Sequence, residues 1–112
     1  MTNFSRHITC FIFLLFAVAA CTPSNNLNKE KDDANTELLL AREKVPGITM
    51  EQLKQGNRMY IRKCSGCHAL HKPSQFTPQQ WHPILIKMFE KAKVKDSTTK
   101  VLIRNYLVAK SR

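Results

Sequence analysis

Glycine and proline are scarce in this chain, three and five among 112 residues. Such low content excludes a repeat architecture or a low-complexity chain. The length excludes a dinucleotide-binding α/β fold, a barrel, or any other fold that needs a large core. Acidic residues are few, 8 Asp and Glu against 18 Lys and Arg. The imbalance is local. Residues 49–112 hold thirteen of the bases and three of the acids, whereas residues 22–48 hold four bases and five acids. Whatever the C-terminal part meets is therefore expected to be acidic. No run alternates apolar and polar side chains as a half-buried strand does, so the expected fold class is all-α.

No apolar stretch is long enough to cross a bilayer. Residues 8–20 (ITCFIFLLFAVAA) number thirteen, where a transmembrane helix needs about 20. Behind a short polar start with one fixed charge, Arg6, the run fits the apolar region of a secretory signal peptide. Its end, Val18-Ala19-Ala20-Cys21, resembles a bacterial lipoprotein signal. The resemblance implies removal of residues 1–20 and acylation of Cys21, leaving the protein lipid-anchored on the periplasmic side of the cell envelope. Thr22, in place of an Asp, favours the outer over the inner membrane.

Residues 21–48 are expected to be the lipidated cysteine and a flexible tether. Residues 22–35 are polar with almost nothing to bury, and as a coil the tether would span about 30 Å. A short helix over Thr36–Lys44 is expected, capped by Thr36. Leu38, Leu39 and Leu40 would dock on the following domain, and Pro46-Gly47 would stop the helix.

The chemistry is concentrated in Cys64-Ser65-Gly66-Cys67-His68. Cys-x-x-Cys-His is the attachment motif for c-type haem. Two thiols at that spacing reach the two vinyl groups of one porphyrin, and the adjacent imidazole serves as proximal iron ligand. A thioredoxin-like dithiol would need a βαβ context, which is missing. A zinc site would need a distant fourth ligand, or the crowded set Cys64, Cys67, His68 and His71. The export signal favours haem. Cys10 leaves with the signal peptide, Cys21 takes lipid and the motif takes the remaining two, so no cysteine is left for a disulfide. A domain over residues 49–112 buries little surface alone, and one covalent haem would complete its core.

Helix signals frame the motif. Thr49-Met50-Glu51-Gln52 reads as a capping box, followed by Leu53, Gly56, Tyr60 and Cys64 at helical spacing. Gly56 in mid-helix points to another helix crossing closely there. Thr77-Pro78-Gln79-Gln80 is a second start signal with Pro at the first helical position. Trp81, Ile84, Leu85, Met88, Phe89 and Ala92 form its apolar stripe, although Pro83 suits a first turn better and a start near Trp81 is the alternative. Asp96-Ser97-Thr98-Thr99 opens a third helix, with Leu102, Tyr106 and Ala109 on one face.

The pattern Gly56-x-x-x-Tyr60-x-x-x-Cys64-x-x-Cys67-His68, with Tyr106-Leu107 on a C-terminal helix, resembles the cytochrome c family over residues 49–112. The resemblance implies three main helices wrapped around one covalently bound haem. Residues 64–88, on the strength of Phe76-Thr77, Gln80-Trp81 and Met88, also resemble the C-terminal haem domain of multihaem cytochromes that serve trimethylamine N-oxide reductases. The multihaem part is missing here, so no quinol activity carries over. The sixth iron ligand is expected to be Met88, which raises the potential, with His82 as its rival and an open position as a further alternative. His68 and Met88 are thus the metal ligands, and Cys64, Cys67, His68 and Met88 the cofactor-binding set. The expected role is a monomeric single-haem electron carrier, not an enzyme, meeting acidic-surfaced redox proteins and no nucleic acid. The alternatives are a ligand-binding or sensor protein with an open iron, or a haem subunit of a larger oxidoreductase.

Overall fold

The computed structural model describes residues 26–112, with side chains from residue 29. The signal peptide expected over 1–20, the expected acylation site Cys21 and Thr22 lie outside the described residues. Among the described residues four α-helices follow one another: α1 (Asn26–Lys44), α2 (Met50–Cys64), α3 (Pro78–Lys91) and α4 (Ser97–Ala109). A short 3-10 turn over Pro73–Gln75 lies between α2 and α3. No strand occurs among the described residues, and none of the helices is long and apolar enough to cross a membrane.

The three start signals all act as caps. The Thr49 hydroxyl accepts from Gln52 N–H while Gln52 Oε1 accepts from Thr49 N–H, a complete capping box. Thr77 and Gln80 repeat it on α3, with Pro78 at the first position. Asp96 caps α4 by accepting from Thr99 N–H at 2.6 Å. Pro83 does lie inside α3. Both Pro83 and Gln79, whose carbonyl it cannot serve, are exposed, so water meets the group that the missing N–H leaves free.

The packing is dominated by α2 against α4. Gly56 is the crossing point: a Cβ there would lie 2.5 Å from Tyr106 Cβ and would also collide with the Leu102 carbonyl. The close crossing expected from this glycine is therefore present. Two clusters form the core. One gathers Tyr60, Trp81, Leu85, Ile103 and Leu107; the other gathers Ala41, Ile48, Leu53 and Ala109. Ile103 and Leu107 are wholly buried, a deeper position than the Leu102–Tyr106 face singled out by spacing alone.

The region expected to be a flexible tether differs most. From Asn26 it is helical, so a coil does not describe residues 26–44. Its Lys, Glu, Ala, Leu and Arg content is what a helix favours. Thr36 is no cap: it sits inside α1 and its hydroxyl donates to the Asp32 carbonyl. Leu38 reaches the second cluster, whereas Leu39 and Leu40 are 64% and 56% exposed. The residue that docks is Ala41, 1% exposed. Lys44 Nζ donates to the Ser111 carbonyl and Lys110 pairs with Glu37 at 2.9 Å. Pro46-Gly47 ends the helix as expected. Ile48 N–H donates to the Val45 carbonyl, with Gly47 at φ 78°, the position where a type II turn requires glycine.

Candidate functional site

The site is built where α2 ends. Cys64 is the last residue of α2, and Ser65–Cys67 form the turn that leaves it. The chain then runs irregularly from His68 to Thr77 before α3 returns. Two aromatic side chains hold that return in place. Tyr60 Oη donates to the His71 carbonyl at 3.0 Å, and Trp81 Nε1 donates to the Pro73 carbonyl at 2.9 Å. Phe76 packs edge-on to Trp81, and Arg112 N–H donates to the Phe76 carbonyl. Irregular backbone that would otherwise wander is thereby fixed at three points.

Between the turn and α3 lies a cleft of about 300 Å³, at the lower end of small-molecule sites. Cys64, Cys67 and His68 line it from the turn, and Met88 lines it from α3. Tyr60, Trp81, Ile84 and Leu85 add apolar walls, while Lys63 and Lys91 are the cations that line it. All four residues expected to hold a cofactor thus line one cleft. His71 lines it too, its ring 5.4 Å from that of His68. His82, the rival ligand, is exposed and lies outside the lining.

The hydrogen bonding of His68 decides its chemistry. Nδ1 lies 2.7 Å from the Ala69 carbonyl. A carbonyl oxygen only accepts, so the proton belongs on Nδ1 and the Nε2 lone pair is left for a metal. Burial pushes the Cys64 thiol above its ordinary pKa, with the neighbouring Cys67 adding to the effect. A shift in that direction is the opposite of the depressed pKa that the attacking thiol of a dithiol oxidoreductase requires. Among the described residues, no three His, Cys, Asp or Glu side chains converge to hold a metal ion. Structural zinc needs four such donors. A porphyrin iron asks the protein for only two axial donors, and the cleft offers an imidazole and a thioether.

Sequence reasoning left out the loop anchors. Tyr60 was legible as a core residue on a helical stripe, but its bond to the His71 carbonyl joins a helix to irregular chain, and no periodicity encodes that. Lys63 and Lys91 were visible only as part of the general positive charge. No protein-family profile, curated protein or solved structure matches the chain.

Proposed function

We propose that this protein is a single-haem c-type cytochrome that carries electrons one at a time between redox partners, anchored to the cell envelope by lipid on Cys21. The observation that carries the reading is the convergence of two thiols, an imidazole and a thioether on one largely apolar cleft. Cys64 and Cys67 would hold the macrocycle as thioethers, and His68 Nε2 and Met88 Sδ would be the donors offered to its iron. When bound, the haem supplies a one-electron ferrous–ferric couple. Tyr60, Trp81, Ile84 and Leu85 would present apolar surface to the macrocycle, and an apolar surround with a thioether donor favours the ferrous state. The Ala69 carbonyl fixes the ring orientation and basicity of His68. The basic exterior would steer the carrier toward acidic partners by weak, salt-sensitive attraction.

Visible spectra of the matured protein in both oxidation states, with and without carbon monoxide, test this reading. The wild type is expected to be low-spin in both states and inert to the gas. Met88→Ala should open a coordination position and bind carbon monoxide in the ferrous state. An unchanged Met88→Ala spectrum would show Met88 to be a packing residue. A wild type that takes up the gas readily would favour a ligand-binding protein over a carrier.

A further inference from the structure

The turn joining α3 to α4 carries a conformational cost that a glycine would remove. Lys93 has φ 52°, and among the described residues it is the one non-glycine in the left-handed region. Its N–H donates to the Glu90 carbonyl at 3.1 Å, and Val94 N–H donates to the Phe89 carbonyl at 2.9 Å. This pair of bonds is the Schellman closure of a helix, whose left-handed position is ordinarily glycine. A side chain there costs stability. Strain of this kind persists where the side chain is needed for something else.

The side chain in question is a cation, and two more stand beside it. Lys93, Lys95 and Lys100 line an open depression of about 690 Å³. Its apolar part is Phe89, Val94 and Ile86, the last 56% exposed. Lys100 Nζ stands 6.0 Å from the Phe89 ring centroid. Glu90 is the one carboxylate in the lining. Among the described residues none of the three lysines forms an ion pair, since the ion pairs are Arg58–Glu51 and Lys110–Glu37. The depression is separate from the thiol cleft, yet Phe89 directly follows Met88.

We propose that this corner is a docking surface for a partner protein that presents carboxylates around an apolar side chain, and that Lys93 occupies its strained position because its ammonium group is needed there. Three lysines beside an apolar patch whose exposed member is Ile86 have the anatomy of a protein–protein contact, polar around apolar. The sign of their charge selects an acidic partner. That the partner is a redox protein rests on the electron-carrier reading; the docking itself does not.

The test uses the full-length matured protein in neutral detergent, titrated with a short fluorescein-labelled peptide of Glu and Leu and followed by anisotropy. Lys93→Gly is expected to raise Tm by a few degrees and to weaken binding by about fivefold, the effect of losing one exposed charge contact. Lys100→Gln should weaken it similarly. Lys54→Gln and Lys87→Gln remove the same charge elsewhere and should leave binding almost unchanged. Equal losses in all four variants would overturn the proposal in favour of net charge alone. So would a Lys93→Gly protein that gains stability and keeps its affinity. Binding to phosphatidylglycerol vesicles without binding to the peptide would assign the corner to the membrane and also overturn it. The absorbance of the same samples reads the haem separately. A colourless product with lysine-specific peptide binding would remove the carrier role and leave the docking surface standing.

Discussion

Met88 and His82 lie on one helix, but only Met88 lines the cleft. Six positions along an α-helix rotate a side chain by about 240°, so both cannot serve the same face. Sequence spacing alone left the two in competition, because it does not say which face of the helix is turned to the cleft. With α3 starting at Pro78, the stripe of Trp81, Ile84, Leu85 and Met88 falls on the cleft side. His82→Ala is therefore expected to leave the visible spectrum and the reduction potential as they are; a shift to high-spin would reinstate His82 as the ligand. Gly56 was legible from the sequence because a glycine in mid-helix weakens the helix unless a neighbouring backbone needs the space. Gly56→Ala should destabilise by about 1–3 kcal/mol, the usual cost of overpacking, read as a lower denaturation midpoint at constant m. Ala41 was not legible, since an alanine on a polar helix carries no signal of its own.

At the scale of elements, capping chemistry was the most readable part of the chain. Thr49, Thr77 and Asp96 each begin a helix through a side-chain oxygen bonded to a backbone N–H. The Asp96 carboxyl is held below its ordinary pKa, first by its hydrogen bonding to Thr99, and by Thr98 and Lys63 to a lesser degree. A folded-state pKa below the unfolded one stabilises the fold above the unfolded value of 3.8. The contribution is lost as pH falls through the lower, folded value. Asp96→Asn should therefore flatten the acid limb of a Tm-against-pH curve below about pH 4 while leaving a cap in place; an unchanged limb would show that the cap charge contributes nothing. The helix α1 was hidden for the opposite reason. Its polar composition fits a solvated linker as well as a helix, and only docking at Ala41, with Lys44 and Glu37 reaching the end of α4, settles its last turns. Ala41→Glu would bury a carboxylate among Ile48, Leu53 and Ala109. Faster amide exchange over residues 38–48 is expected, with the haem spectrum unaltered. Protection equal to wild type would mean that α1 is held by its ion pair instead.

For the whole molecule, the all-helical class followed from missing alternation and from three start signals. The cleft did not follow from spacing, because its far wall depends on how Tyr60 and Trp81 tie down the irregular stretch between α2 and α3. The two apolar clusters are small, and the first opens onto the cleft through Tyr60, Trp81 and Leu85. A covalently held group in that cleft would finish the core, as cross-links and metals do in other small scaffolds. The most direct measurement is the intact mass and pyridine haemochrome spectrum of the protein made in a host that matures c-type cytochromes, beside a Cys64→Ser, Cys67→Ser double variant. One haem per chain in the wild type and none covalently attached in the variant is the predicted result. A colourless wild type whose mass is that of the polypeptide and its acyl groups would contradict the account.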